Sequence, residues 1–339
     1  MTRPSMFSRS GKLFRALATV TLLPLTCSVS PAPASAADYR IGLTSYEVMQ
    51  LPAPPVERYA ARDSAALAYR YFAPANVASP PDVVAILIHG SGGSGLTMTV
   101  LGEALAQANV PAFVPDIRGQ GLSGRRGDID YIGQLENDLG DFVAVVRRKY
   151  PTARLVLVGH SAGGGFALRI AGQAAGRPFS KFILLAPVLG RMAGLNRPDA
   201  GWARPDIPRI VALRVMNALG ITAFNGATTV TFNSPPEAGD LLTRAWSYRM
   251  MSNFGPSGQT QLVGRPAYQL DAEQARAPIA VIAGSADEQF FAERYDDAFA
   301  CLSRPVSVEL AEGVSHMGIL SDPRAVPIIV RAIRDLSES

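Results

Sequence analysis

The chain predicts an α/β domain: a mostly parallel central sheet with helices on both faces and one long insertion. Three observations carry this. Strand-like and helix-like segments alternate through roughly 300 residues, the pattern made by parallel strands joined through crossover helices. The candidate strands Val83–Ile88, Leu155–Val158, Phe182–Ala186 and Ile279–Ala283 are continuous apolar runs, as strands covered on both faces require. Between the last two lies a segment, Leu189 to Ala277, far longer than an ordinary connection of a few residues, so it is expected to be a functional element with its own structure.

Residues 1–36 read as a secretory signal peptide. Arg3, Arg9, Lys12 and Arg15 give a basic start, Ala16–Leu25 an apolar stretch too short for a membrane span, and Ala34-Ser35-Ala36 a small-residue cleavage site. A periplasmic or secreted protein is expected. Cys27 is not expected to carry a lipid anchor, because Pro24 and Thr26 stand where such a site takes a branched aliphatic residue and a small one. The formal charge of +4 and the pI near 9.2 come from this leader: its four cations are the only charges before Asp38, and removing them takes +4 to 0. Charge therefore gives no reason to expect a nucleic-acid partner. Cleavage also leaves Cys301 as the one cysteine, so an intrachain disulfide is excluded. Residues 37–56 form an N-terminal segment that includes the Pro-rich linker Leu51–Pro55.

The first part of the core, residues 57–188, opens with a pair of strands near Val56–Arg62 and Ala66–Phe72, followed by helices expected over Thr97–Ala108, Ile132–Lys149 and Ala162–Ala175. Its most informative stretch is Gly159-His160-Ser161-Ala162-Gly163, which joins the strand Leu155–Val158 to a helix. A serine on such a turn is held in a strained conformation that pushes its hydroxyl out of the sheet, and the glycines let the turn close. Ser161 is the candidate nucleophile. Its hydroxyl is weak at neutral pH and needs a base, a group to orient that base and donors for an oxyanion. Ala162 supplies one backbone N–H, and Ser91, in the loop His89-Gly90-Ser91-Gly92-Gly93-Ser94-Gly95 after an apolar strand, is expected to supply the second. That loop lacks a Walker lysine and the G-x-G-x-x-G spacing, which argues against phosphate binding.

The insertion, residues 189–277, gathers methionine and aromatic residues. Met216, Trp246, Met250 and Phe254 are its candidate substrate-binding residues, since methionine and aromatic side chains make adaptable apolar sites; the alternative is that they glue the insertion to the core.

In residues 278–339 the buried strand before Gly284 leads to Ser285-Ala286-Asp287-Glu288, and Val306–Leu310 leads to Gly313-Val314-Ser315-His316. His316 is the candidate base; His89 and His160 sit in Gly-rich turns that do not themselves need an imidazole. Asp287 is the candidate orienting acid, with Glu288 its rival, and either acid also suits a helix cap. A closing helix places Val326, Ile329, Val330, Ile333 and Leu336 on one face.

The set His89-Gly90-Ser91-Gly92, Asp116-Ile117-Arg118-Gly119-Gln120-Gly121-Leu122-Ser123, Gly159–Gly163, Gly284–Asp287 and Gly313–His316 resembles the α/β-hydrolase superfamily over residues 57–337, and within it the monoglyceride lipase, lysophospholipase and serine-aminopeptidase-like group. The order Ser161, Asp287, His316 is the one that superfamily uses. Gln120 departs from the histidine common in the D-x-R-G-H-G-x-S segment of such enzymes. The resemblance implies an α/β-hydrolase fold in which residues 189–277 are an inserted cap over the nucleophile, and a serine hydrolase acting without cofactor or metal on a small-molecule ester with an apolar acyl chain, its cap able to touch a membrane. An amidase or aminopeptidase is the alternative, for which Glu237, Asp240, Asp271 and Glu273 could hold a free amine; a non-catalytic binding protein is the third.

Overall fold

The computed structural model describes residues 43–76, 80–257 and 264–335; the expected signal peptide, Cys27 and Leu336 lie outside the described residues. Helix α1 (Leu43–Gln50) comes first, within the stretch read as segment and linker, with Met49 buried beside Ala238 and Leu242 of the insertion. Strands β1 (Val56–Ala60), β2 (Ala66–Phe72) and β3 (Val83–Ile88) lead to α2 (Thr99–Gln107) and β4 (Ala112–Pro115). Helix α3 (Gln134–Lys149), β5 (Arg154–His160), α4 (Ala162–Ala171) and β6 (Phe179–Leu185) complete the first half.

The insertion contributes β7 (Ala203–Pro205), α5 (Ile207–Ala218), β8 (Thr228–Phe232), β9 (Ala245–Ser247) and α6 (Tyr248–Asn253), then α7 (Ala267–Gln274). The chain returns to the core with β10 (Ile279–Gly284), α8 (Tyr295–Phe299), β11 (Ser307–Ala311) and α9 (Val326–Arg334).

Among the described residues eight strands form one sheet in the order β1-β2-β4-β3-β5-β6-β10-β11, with β2 antiparallel to β1 and β4 and the remaining pairs parallel. The continuous apolar runs explain the layering. Successive side chains of a strand point to opposite faces, so Val84, Ile86, Ile88, Leu155 and Leu157 join the core beneath α3 and α4, whereas Val83, Ala85, Leu87, Val156 and Val158 join the core beneath α2 and α9. Each fully buried aliphatic contributes about 1.5–3 kcal/mol. On α3 the buried stripe Leu135, Leu139, Phe142, Val143 and Val146 has helical spacing, and on α9 Val326, Ile329 and Ile333 do the same.

The segment expected as a single cap is two things. Strands β7, β8 and β9 form a separate antiparallel sheet that, with α5 and α6, covers the C-terminal ends of the core strands. Helix α7 packs instead on α4, with the Gly172 backbone against Asp271. It is the crossover that carries the chain from β6 to the parallel β10, a connection that two parallel neighbours require. Trp246, Met250 and Phe254 are continuous with the main core, so the cap and the sheet share one hydrophobic interior.

Candidate active site

Ser161 occupies the single residue between β5 and α4, at φ 54° and ψ −117°, a region that residues with a β-carbon avoid. The turn closes only because its glycines lack side chains: a Cβ at Gly159 would sit 2.1 Å from the Gly163 carbonyl oxygen, and one at Gly163 would sit 2.4 Å from that of His89. The Ser161 amide donates to Leu185 O at 2.9 Å and its carbonyl accepts from Val188 N–H at 2.9 Å, so two segments around β6 hold the strained residue in place.

Asp287 and His316 meet beside it. His316 Nδ1 donates to Asp287 Oδ2 at 2.8 Å, and Gln289 N–H and Phe290 N–H donate to Oδ1 at 2.7 and 2.9 Å. One carboxylate oxygen thus closes a local turn and the other holds the imidazole; no helix begins at Glu288, so the expected alternative of a helix cap is corrected. Burial pushes the Asp287 carboxyl up, but the neighbouring imidazole and its hydrogen bonds outweigh that and hold it below the usual carboxylate range. For His316, burial pushes the imidazole down, while the charge and hydrogen bond of Asp287 and the charge of Glu288 outweigh it and hold the imidazole above its ordinary value. Glu288, the rival acid, accepts from the His316 backbone N–H at 2.9 Å and does not reach the ring nitrogens. Arg197 reaches in from the insertion, donating through Nε to Asp287 O and Phe290 O at 2.9 and 3.1 Å. Ser161 Oγ makes no hydrogen bond to His316 Nε2; both side chains face a shared cleft, and such contacts commonly tighten only around substrate.

The other two histidines do more than occupy turns. His160 Nε2 donates to the His316 carbonyl at 3.1 Å, its ring 4.8 Å from that of His316. Burial, with the charge of His316 adding to it, lowers the His160 imidazole to about 3, so it is a neutral pin on the backbone of the neighbouring histidine. His89 Nε2 accepts from Ile117 N–H at 3.1 Å and its Nδ1 donates to Gly90 O at 2.8 Å, fixing the start of the Gly-rich loop. The expectation that neither turn uses its imidazole is corrected accordingly. No sequence pattern signals these bonds, because their partners lie on other elements.

Among the described residues the amides of Ser91 and Ala162 have no internal acceptor, as oxyanion donors require. The segment after β4 buttresses their loop: Asp116 accepts from Gly95 N–H at 2.7 Å and from Leu122 N–H at 2.9 Å, and Arg118 is buried between Asp138 and Asp63, at 2.7 and 3.0 Å. Ser123 is occupied in accepting from Ala68 N–H.

Ser161 and His316 open onto a chamber of about 610 Å³, lined by Trp202, Ile210, Val230, Phe232, Trp246 and Met251 and also by the polar Arg191, Asn196, Arg197 and Gln289. Of the four substrate-binding candidates Trp246 lines it. Met250 and Phe254 are fully buried, Phe254 between Phe166, His89 and Trp246, and Met216 packs on the edge of the core away from the chamber wall. Met251, not Met250, faces the chamber because adjacent helical residues point about 100° apart.

Residues 79–224 match the family described as serine aminopeptidase, S33. A monoglyceride lipase from Saccharomyces cerevisiae, a soluble variant in complex with a substrate analogue, is 20% identical with a TM-score of 0.61, over 86% of this chain and 98% of the lipase chain. A monoacylglycerol lipase from Paleococcus ferrophilus is 19% identical with a TM-score of 0.56, over 79% of this chain and 96% of that one. An N-formylmaleamic acid deformylase from Pseudomonas putida is 17% identical with a TM-score of 0.52, over 81% and 100%. The chain has the α/β-hydrolase fold.

Two features set the site apart from the expected pattern. Gln120 is fully buried in the place common for histidine, and among the described residues its amide has no protein partner. Three of the acids suggested for holding an amine do not gather at the chamber: Asp271 is buried and accepts from Ser257 N–H, Glu273 pairs with Arg265, and Asp240 is absent from the chamber wall; the Glu237 side chain lies outside what is described.

Proposed function

We propose that the protein is a serine-dependent carboxylic ester hydrolase of the periplasm or extracellular space, acting on lipid-like esters of the acylglycerol or lysophospholipid kind. The observation that carries this reading is the buried Asp287–His316 pair opening onto the same chamber as the strained Ser161. His316, with Nδ1–H held by Asp287, presents a bare Nε2 that takes the Ser161 proton as Oγ attacks the ester carbonyl. The negative oxygen is received by the N–H groups of Ser91 and Ala162. The C–O bond to the alcohol then breaks, His316 returns the proton to the leaving alkoxide, and water repeats the cycle on the acyl-enzyme to release the acid. Protonation of the paired imidazole leaves Asp287 ionised, which stabilises the intermediate without moving the proton further.

The apolar chamber supports an acyl chain as the group bound, and the two lipases of similar fold support the same choice. On the far side of the insertion Val215, Leu219, Ile221 and Phe224 are exposed, a patch suited to resting on a membrane. Amide cleavage is the second reading, favoured by the family match. Among the described residues the acid that lines the cleft with Ser161 is Glu288, whose Oε2 already accepts from the His316 backbone N–H, so the ester reading is preferred.

A panel of p-nitrophenyl esters and aminoacyl anilides tests the choice, together with a fluorophosphonate probe that should label Ser161 and leave the Ser161→Ala variant unmodified. Anilide turnover exceeding that of every ester would reverse the assignment, and labelling elsewhere would displace Ser161.

A further inference from the structure

The Gly-rich loop is gripped from both sides. A Cβ at Gly90 would lie 3.2 Å from Ser161 Cβ, so the loop touches the nucleophile's side chain. On its outer side Thr243 N–H donates to Gly92 O at 2.7 Å, and a Cβ at Gly92 would lie 3.1 Å from the Trp202 ring. Between these contacts, Trp202 Nε1 donates to Ser91 Oγ at 3.0 Å. An indole N–H is a donor only, so the Ser91 oxygen must be the acceptor and its own hydrogen is left to point elsewhere. Among the described residues that hydrogen has no acceptor, and Ser91 lines both the cleft and the chamber with Ser161.

We propose that the Ser91 hydroxyl is a third oxyanion donor, oriented by Trp202. The proposal rests on the ester-hydrolase reading and deepens it. A hydroxyl rotor free to turn is a poor oxyanion donor, because fixing it costs entropy in the transition state; one whose lone pair is already engaged is preorganised. Trp202 is itself braced. Its ring stacks on Phe232, with centroids 5.2 Å apart and planes at 27°, and its carbonyl accepts from Asn233 N–H at 2.8 Å. Phe232 in turn meets Trp246 edge-on at 4.8 Å. The cap thus contributes to the chemistry of the core through one side-chain hydrogen bond. Ser91 touches the reacting oxygen; Trp202 acts through Ser91 as a positioning residue.

The test uses the mature enzyme with p-nitrophenyl butyrate and a butylboronic acid that forms a tetrahedral adduct on Ser161. Ser91→Ala keeps the backbone N–H, so whatever is lost belongs to the hydroxyl: kcat should fall roughly 100-fold, the lower end of what loss of one oxyanion donor produces, with KM little changed. Affinity for the boronic acid should fall in parallel. Trp202→Phe keeps the stack on Phe232 and removes the N–H, and should lower kcat by less than Ser91→Ala. The double variant should be no slower than Ser91→Ala alone, because Trp202 has nothing left to orient. A kcat within twofold of wild type in Ser91→Ala, or single effects that multiply in the double variant, overturns the proposal. Ser161→Ala run alongside keeps the two ideas apart: if it is inactive while Ser91→Ala is unimpaired, the third donor fails alone, and if it is as active as wild type, both readings fail.

Discussion

Nδ1 of His316 and Oδ2 of Asp287 lie 2.8 Å apart with both side chains almost wholly out of water. The pair is a charge-assisted contact in a poorly solvated site, where each partner favours the charged form of the other. His160 touches the same histidine through its backbone but stays neutral, so the pH response of the site belongs to His316, raised by Asp287 and by the charge of Glu288.

The first prediction is the pH profile. In the proposed mechanism the base works only when His316 is neutral, and its imidazole is held above the ordinary value of about 6.5, so kcat/KM should fall with acid through an apparent pKa above that figure. Asp287→Asn removes the main raising influence: the acid limb should move down and the plateau drop by about 10⁴-fold. Glu288→Gln keeps an acceptor for the His316 amide and removes only a charge, so the limb should move down less and the plateau stay within a few-fold. A wild-type limb below 6.5, or a larger loss in Glu288→Gln than in Asp287→Asn, would contradict these assignments.

What could be read in the sequence follows from how local its cause is. A strand covered on both faces needs an uninterrupted apolar run, and a serine on a strand-to-helix turn needs glycines at Gly159 and Gly163, so the sheet and the turn were legible. Asp287 and His316 were legible because each follows a strand of the sheet. Trp202 was not, since its meaning depends on a partner 111 residues away. Met250 and Met251 are indistinguishable until the helix is oriented against the chamber, and α1 shows no apolar periodicity strong enough to announce itself. The crossover helix α7 was hidden inside the insertion because nothing local separates a cap helix from one that packs on α4.

The second prediction concerns stability. Burial raises the Asp271 carboxyl to about 6, against the pull of the Ser257 N–H that it accepts at 3.0 Å. A folded value above the unfolded one means that stability from this group is full below about pH 4 and lost as pH rises through about 6. Asp271→Asn keeps an acceptor and carries no charge, so it should stabilise the protein at pH 8 by on the order of 2 kcal/mol and have little effect at pH 4. Thermal midpoints at the two pH values decide it; a variant less stable than wild type at pH 8 would show the carboxylate to be satisfied as it stands.

The third prediction concerns the membrane. Leu219 and Phe224 are 72% and 57% exposed at the end of α5 and in the loop after it. If the patch rests on lipid, Leu219→Glu with Phe224→Glu should abolish cosedimentation with phosphatidylglycerol vesicles and leave p-nitrophenyl acetate hydrolysis unchanged, because neither residue lines the chamber. Wild-type protein that stays in the supernatant at every vesicle concentration would remove the patch from the proposal.

The last prediction concerns the chamber, where chain-length preference should reside if Ser161, Asp287 and His316 serve any ester alike. Each methylene moved from water into an apolar wall contributes about 0.8 kcal/mol, or roughly fourfold in binding, so kcat/KM should climb through a series of p-nitrophenyl esters until the acyl chain fills the space. Val211 on α5 lines that space and lies outside the set of groups proposed to move protons or hold the oxyanion. Val211→Trp occupies room the chain would use: the climb should end at a shorter ester, with acetate turned over within about twofold of wild type, since uniform loss of binding energy appears only where that binding is made. Excising the whole insertion is a poorer experiment, because Trp246, Met250 and Phe254 belong to the shared core and α7 carries the crossover. Should Val211→Trp keep the parental length profile at full activity, the acyl chain runs elsewhere and the chamber is the exit for the alcohol.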